Sequence, residues 1–233
     1  MKAVDINRID NEEGIKRLKK MGWFGAIYTQ YHDEFDEEKL NKVIELGEQY
    51  GLKIYSGIKI RTQSSKELRN LVRKYRNRFH LVLVEGGVEK VNRSALEMHD
   101  VDILSTPELN RKDSGIDHVL ARLASVHRVA IELNFNEALT AKNYERARIL
   151  MAFRRNLKLA KKFDAPVVIS SDANDIYTIK SPYDLRAFLN TLVEPEYAKK
   201  IIETTYKIAE YRAYLKKKNV VRFGVEIVED DEV

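Results

Sequence analysis

The segment VDILSTPELNRKDSGIDH, residues 101–118, has the pattern of a buried strand, a turn and the start of a helix. The apolar character of residues 101–104 indicates the strand, and Pro107 ends it because proline has no backbone N–H to donate. Turn-forming residues follow, and an apolar helix is predicted from Ile116 to Val126. A strand that leads through a turn into a helix is the repeating unit of parallel α/β folds.

Two basic residues, Arg111 and Lys112, lie on the predicted turn, and His118 lies in the first turn of the helix after it. Free backbone N–H groups at a helix N-terminus and cationic side chains both attract anions. We expect Ser114 to cap the helix in an arrangement that resembles a capping box. The residues expected to shape the turn are Asp113, Ser114 and Asp117. The turn is interpreted either as an anion-binding loop or as an ordinary solvated loop.

Segments that read as strands alternate with segments that read as helices along most of the chain. The predicted strands are Lys2–Ile6, Trp23–Thr29, Leu52–Ile60, Phe79–Val84, Val101–Leu104, Arg128–Leu133 and Pro166–Ser170. The predicted helices between them are Asn11–Met21, Asp36–Tyr50, Ser64–Arg78, Val88–Met98, Ile116–Val126 and Asn143–Phe163. Seven such strands favour a TIM-barrel-like (β/α) barrel over a doubly wound sheet. No glycine-rich nucleotide-binding motif follows any strand.

The regular alternation ends after the seventh predicted strand. Helices are predicted at Tyr183–Leu192 and Glu196–Lys217, and an apolar segment returns only at Val220–Val228. That segment is interpreted either as an eighth barrel strand or as an edge strand. In the first case the barrel is complete, and in the second it is incomplete and irregular after the seventh strand. We expect a barrel domain over residues 1–219, followed at residues 220–233 by a strand and an acidic tail.

The composition favours a cytoplasmic protein. The 233 residues include no cysteine, which fits a reducing compartment, and no run of apolar residues is long enough to predict a signal peptide or a membrane span. The formal net charge of +5 is compatible with a polyanionic partner.

Ligands of parallel barrels bind at the C-terminal ends of the strands. Lys59 and Arg61 lie at the C-terminal end of the third predicted strand, and Lys180 lies in the loop after the seventh. Other polar residues near strand ends are Asp5, Arg8, Glu85, Asn134, Ser170, Ser171 and Asp172. Several basic residues with scattered acids suit a phosphate-bearing ligand better than a metal ion.

The sequence carries no recognisable catalytic motif. Its five histidines include no His-x-His or His-x-x-x-His pair, so a multi-histidine metal centre is not predicted. There is no cysteine and no GxSxG motif for nucleophilic catalysis. We therefore assign no catalytic residue and no metal ligand to this chain.

The long helix predicted at Asn143–Phe163 is basic on one side and apolar on the other. The basic residues singled out on it are Arg148, Arg155, Lys158 and Lys162. Such a stripe is suited to follow a phosphate backbone without reading its sequence. The other interpretation is a solvated surface of a lysine-rich protein.

Three segments resemble one known family. The motif NRKDSGIDHVLARL at residues 110–123, the basic helix at residues 143–163, and the segment from Val167 to Leu192 with its paired serines are similar to protein component 3 of archaeal ribonuclease P, a subunit shared with the eukaryotic nuclear enzyme. Residues 1–100 match mainly in pattern, and the last residues, from Val220, have no clear counterpart.

The resemblance implies a TIM-barrel-like subunit that does not itself cut RNA. In this family the catalytic RNA, with bound magnesium, hydrolyses the phosphodiester at the 5′ leader of precursor tRNA. The expected partners are that RNA, a small ferredoxin-like protein subunit, the other ribonuclease P proteins and, indirectly, precursor tRNA; no cofactor is expected on the chain itself. Matched to the family motifs, the expected contacts to RNA or partner protein include Arg111, Lys112, His118 and Lys180. The competing hypothesis is a free-standing barrel hydrolase or lyase that acts on a phosphorylated metabolite.

Overall fold

Seven parallel strands, hydrogen-bonded in their order along the chain, form the centre of the computed structural model, which describes residues 2–217, 220–222 and 224–226. The strands are β1 (Val4–Asn7), β2 (Gly25–Tyr31), β3 (Lys53–Ile60), β4 (Leu81–Glu85), β5 (Ile103–Ser105), β6 (Ala130–Asn134) and β7 (Val167–Ser170). The helices are α1 (Glu12–Lys20), α2 (Glu37–Tyr50), α3 (Ser65–Arg76), α4 (Glu89–Leu96), α5 (His118–His127), α6 (Phe135–Thr140), α7 (Asn143–Phe163), α8 (Pro182–Asn190) and α9 (Pro195–Leu215). The predicted TIM-barrel-like fold is confirmed, as an incomplete barrel.

Polar side chains set the starts of the first three helices. Asn11, Asp36 and Ser64 each accept a hydrogen bond from a backbone N–H in the first turn of α1, α2 and α3 respectively. These side chains satisfy N–H groups that have no partner inside the helix. The predicted starts of the three helices therefore coincide with their N-caps.

The helix after β5 begins later than predicted. Its N-cap is Asp117, whose side chain accepts a hydrogen bond from the N–H of Leu120 at 2.8 Å, whereas the buried Ser114 donates to the carbonyl of Ile116. The prediction that Ser114 caps this helix was wrong, because the segment from Ser114 to Ile116 is part of the buried turn. Helix α6 was missed, since it follows β6 directly, with Asn134 as its cap.

The strands bury both faces, as parallel strands do when helices cover the sheet. One apolar cluster, which includes Ile6, Leu83 and Val168, lies inside the ring of strands, and a larger one lies between the strands and the surrounding helices. Adjacent residues of β4 divide between the two: Leu81 and Leu83 belong to the inner cluster, Val82 and Val84 to the outer one.

Helix α9 lies across the N-terminal end of the barrel. Ala209 belongs to the inner apolar cluster, and Tyr206 packs edge-to-face on Phe24 with ring centroids 5.2 Å apart. Farther along the helix, Glu210 accepts hydrogen bonds from the side chains of Lys53 and Tyr55 at the start of β3. The helix therefore closes the end of the barrel that the strands leave open.

The barrel closes at its other end through the residues that follow β7. The N–H of Asp172 donates to the carbonyl of Ile6 at 2.9 Å, and the N–H of Arg8 donates to the carbonyl of Ala173 at 2.8 Å. The N–H of Ser171 donates to the carboxylate of Asp5 at 2.8 Å. The residues after β7 thus join the C-terminal ends of β1 and β7, although these two strands do not pair with each other.

The apolar segment predicted at Val220–Val228 forms neither an eighth barrel strand nor an edge strand of the barrel within the described residues. It contains two short strands, β8 (Val220–Arg222) and β9 (Val225–Glu226), which pair with each other in antiparallel fashion in a separate sheet. Residues 227–233, most of the predicted acidic tail, lie outside the described residues, and the domain boundary predicted after residue 219 stays a prediction.

The side chain of Asp172 joins three parts of the ring. Its carboxylate accepts hydrogen bonds from Lys59 of β3 at 3.3 Å and from Asn134 of β6 at 2.8 Å, and Arg8 lies 3.8 Å away. Lys59 is only 3% exposed, so its charge depends on this carboxylate and on its buried neighbours.

We expect Asp172→Asn to lower the free energy of unfolding by about 3–5 kcal/mol, because it leaves the Lys59 ammonium buried without its ion-pair partner. Asparagine tolerates the positive φ of 41° at this position, so backbone strain does not explain the loss. Urea denaturation provides the measurement, and Lys59→Met in the same background should recover part of the stability. The control is Glu12→Gln, which breaks the solvent-exposed pair with Lys16 and should lower the stability far less. Equal losses in the two single variants would contradict this account.

Candidate functional site

The turn between β5 and α5 is held in one conformation by its own side chains. Arg111 donates two hydrogen bonds to the carboxylate of Asp113, at 2.6 and 2.8 Å, and Asp113 also accepts from the N–H of Gly115 at 2.8 Å. The Arg111 hydrogen bonds outweigh partial burial and lower the pKa of Asp113 to about 2. Gly115 has a φ of +69°, and a Cβ there would lie 1.9 Å from the carbonyl oxygen of Pro107. Only glycine fits this position.

Helix α7 fixes the same turn from outside. Arg148 donates to the carbonyl oxygens of Glu108 and Arg111 and pairs with Glu145 on its own helix. About two helical turns farther along α7, the side chain of the buried Asn156 donates to the carbonyl of Ser114 at 3.0 Å. The guanidinium of Arg148, like that of Arg111, therefore has partners within the protein and acts in holding the turn against α7.

A groove runs between this turn and α7. Its volume is about 250 Å³, and its lining includes Lys112, Arg148, Met151 and Arg155, which we call the cationic groove. A neighbouring groove of about 170 Å³ shares Arg155 and Asp113 with it. Met151 is 62% exposed, so an apolar side chain lies in the open between basic ones. Among the residues that the structure describes, Lys112 and Arg155 form no salt bridge within 4 Å, although Arg155 is near enough to Asp113 to help lower the pKa of that carboxyl group.

The structure brings some of the predicted contact residues together and separates others. Lys158 and Lys162 are exposed and continue from the cationic groove along α7, and His118 is exposed at the start of α5. Lys180 lies after β7, where its ammonium donates to the carbonyl of Tyr177 at 3.2 Å. Arg61 lies after β3 and pairs with Asp33 and Glu34 at 2.8 and 2.6 Å. Some of the predicted contact residues thus form one group on α7 and its neighbouring turn. The others, after β3 and β7, lie apart from this group.

Lys59 requires a correction, because it lies inside the barrel. At 3% exposure, its ammonium is out of reach of a macromolecular partner. Burial alone would lower the pKa of Lys59, but attraction to Asp172 and then to Glu132 outweighs it and raises the pKa, so the side chain stays charged. The residue was placed at the end of its strand correctly, but its side chain points inward.

The interior of the barrel holds buried carboxylates that sequence reasoning missed. Glu132 of β6 is fully buried, and the hydroxyl of Ser105 donates to it. Glu108 is 2% exposed, and one of its carboxylate oxygens has no hydrogen-bond partner. Burial raises the pKa of both groups, that of Glu108 to about 8. The sequence signal for Glu132 was its place in β6. It alternates with Ala130 and Asn134, so these three side chains lie on the same face of a buried strand.

The described residues contain neither a metal-binding cluster nor a membrane-spanning helix. No group of three or more histidine, aspartate and glutamate side chains in that part of the chain is arranged to hold a metal ion. No helix there is long and apolar enough to span a membrane.

Sequence comparison gives a consistent family match. The model of the family described as RNase P subunit p30 matches residues 3–217. Ribonuclease P protein component 3 of Methanocaldococcus jannaschii is 64% identical over 228 residues, which cover 98% of each chain. The protein of the same name from Methanosarcina mazei is 32% identical over 228 residues, covering 95% of this chain and 91% of that one.

Structure comparison agrees with the sequence. A chain in the cryo-EM structure of archaeal ribonuclease P with mature tRNA shares 64% identity with this one, with a TM-score of 0.92 and coverage of 99% of this chain and 100% of that one. Histidinol phosphate phosphatase from Lactococcus lactis has a TM-score of 0.54 at 12% identity, covering 84% of this chain and 94% of that one, which is a likeness of fold alone.

The raised pKa of Glu108 predicts a pH dependence of stability. A carboxyl group whose pKa is about 8 in the folded protein, against an ordinary value near 4.5, favours folding when protonated. Its contribution is complete below about pH 4.5 and is lost as the pH rises toward 8. We expect Glu108→Gln to remove this loss, so that the variant gains stability relative to wild type as the pH rises toward 8, which urea denaturation of both proteins at a series of pH values would show. A constant difference between the two proteins would contradict the assignment.

Proposed function

Because this chain belongs to the ribonuclease P subunit p30 family and is a protein subunit of ribonuclease P, we propose that it supports the catalytic RNA through its outer basic surface and does not itself cleave RNA. Ribonuclease P is an endoribonuclease that acts on tRNA precursors. The observation that carries the proposal is the cationic groove, with Lys112 and Arg155 exposed and outside any salt bridge of the described residues, beside a turn held by its own side chains and by α7.

The arrangement of the groove suits a phosphate backbone. Arg111 and Arg148 are engaged in holding the turn, which leaves Lys112, Arg155 and Lys158 as the cations that can replace counterions on RNA. A rigid turn places these charges without the entropy cost of ordering a loop on binding. Neutralised phosphates lower the repulsion between RNA segments, so the RNA folds and holds its substrate at a lower magnesium concentration.

The remaining elements of the role follow from the family. We propose that the chain pairs with a small ferredoxin-like protein subunit and, with the other ribonuclease P proteins, contacts precursor tRNA only indirectly. Magnesium is then used by the RNA component and not bound by this chain. Arg61 lies after β3 and away from α7, and its guanidinium is already paired with Asp33 and Glu34, so we do not count it among the cations that are open to RNA.

The competing hypothesis of a free-standing hydrolase or lyase receives no support from the geometry of the barrel. Its polar interior residues, Lys59 and Glu132, are 3% and 0% exposed, and they contact Asp172 and Ser105 rather than an open cavity. A phosphorylated metabolite has no access to these groups in this conformation.

The proposal is tested with Lys112→Gln and Arg155→Gln combined, in holoenzyme reconstituted from the catalytic RNA and all protein subunits. Loss of two phosphate contacts should weaken RNA binding and reduce the slope of log affinity against log salt concentration by about 2, and raise the magnesium concentration needed for half-maximal cleavage.

The matched control is Lys39→Gln with Lys42→Gln on the exposed surface of α2, which removes the same charge elsewhere and should change neither quantity. If the groove variant behaved like the control, the cationic groove would not be the RNA contact. Cleavage of precursor tRNA by the purified chain alone would overturn the non-catalytic role.

A further inference from the structure

The N-terminal end of the barrel carries a second concentration of positive charge, apart from the cationic groove. Two adjoining depressions lie there, beside α9, with volumes of about 540 and 430 Å³, and they share Asp100 and Arg212. Their lining includes five cationic side chains against two carboxylates. The cations are Arg76, Arg128, Lys207, Arg212 and Lys216, and the acids are Asp100 and Asp102. We call this lining the barrel-base surface.

The two carboxylates do not balance the cations around them. Asp102 is buried and is bound by both Arg76, at 2.6 Å, and Arg212, so one negative charge serves two guanidinium groups. Arg128 and Lys207 are exposed and have no carboxylate partner among the described residues. Positive charge therefore remains open to solvent along both depressions.

The titration behaviour of neighbouring groups agrees with this excess. Burial and the nearby Arg76 lower the pKa of Lys216. Burial, followed by repulsion from Lys216, Arg76 and Lys53, lowers the pKa of His80 to about 4. Burial is the largest cause of both shifts, and the repulsion from nearby cations is the smaller part that reflects the local positive charge.

Two histidines extend the same surface toward Arg128. The ring nitrogens Nδ1 of His127 and Nε2 of His99 lie 3.1 Å apart, with ring centroids separated by 4.4 Å. Both rings line the larger depression. One ring donates its N–H to the other across this contact, so the pair adds polar ring nitrogens to a site whose charged donors are arginine and lysine.

We propose that the barrel-base surface is a second RNA-binding surface, which takes the sugar–phosphate backbone of a strand across Arg128, Lys207 and Lys216. The proposal rests on the function proposed above and goes beyond it, because it places an RNA contact at the end of the barrel opposite to the turn after β5. Occupied together, the two surfaces let one subunit hold two separate segments of RNA.

The chemistry favours RNA over an acidic protein face. The centre of a protein interface is usually an apolar patch with few charged groups. Ile208, Tyr211 and Leu215 are also in the lining, but they lie among charged residues and form no apolar centre: the two depressions share Asp100 and Arg212, and the larger is bordered by Arg128 and Lys207. Phosphate contacts need only such positioned charges and an open groove.

The experiment uses Arg128→Gln with Lys207→Gln in the complete reconstituted holoenzyme. Glutamine keeps the cost of the positive φ at position 128 close to that of arginine, so the end of α5 is preserved. A second variant, Lys207→Gln with Lys216→Gln, leaves position 128 intact and keeps the test valid if the first variant is poorly folded. Each is compared with the groove variant and with the α2 control, and far-ultraviolet circular dichroism confirms folding.

Each barrel-base variant should weaken RNA binding about tenfold and reduce its salt slope by about 2, and nucleotides protected from hydroxyl radicals should differ from those lost in the groove variant. Unchanged affinity and slope, with the groove variant still defective, would overturn this inference and leave the proposed function standing. Unchanged RNA affinity with loss of a protein subunit from the assembly would overturn it in favour of an acidic protein partner. If groove and barrel-base variants both bound RNA normally, the proposed function would fail as well.

Discussion

The contact on which the fold depends is the one between the residues after β7 and the first strand. Asp172 donates its backbone N–H to Ile6 and so closes the ring, while its carboxylate receives Lys59 from β3 and Asn134 from β6. A single residue thus joins the seam of the barrel to its interior. Lys59 is buried and charged. Opening the seam would therefore either expose the Lys59 ammonium to water or leave it buried without its carboxylate partner.

Closure with seven strands has two consequences for function. The interior of the barrel at its C-terminal end, where ligands of this fold usually bind, is occupied by the protein's own ion pair and carboxylates. The gap at the N-terminal end is covered by α9. Arg212 of this helix, and Lys216 directly after it, lie beside the basic residues at the ends of α3 and α5. The basic residues that are open to a partner therefore lie on the outside of the barrel, where a large polyanion can reach them.

Patterns that depend on local chemistry were predictable from the sequence. The bounds of α7 were predicted to the residue, and three helix starts coincided with their capping side chains, because capping and periodicity are properties of neighbouring residues.

Side-chain direction at strand ends was not predictable in the same way. Lys59 and Arg61 lie two residues apart at the end of one strand, yet one is buried with Asp172 and the other reaches the surface, a difference that depends on contacts from β6 and β7. The barrel-base surface assembles residues from α3, α5 and α9, which are distant in sequence.

The central claim is that the catalytic RNA lies along α7 and its neighbouring turn. The chain contains no cysteine, so a single Lys158→Cys substitution provides one site for a tethered iron chelate. Hydroxyl radicals generated there in the reconstituted holoenzyme should cut the catalytic RNA at a defined set of nucleotides, while the same probe at Lys42→Cys on α2 should give none of these cuts. Cuts of equal strength from both positions, or no cuts from position 158, would contradict the account.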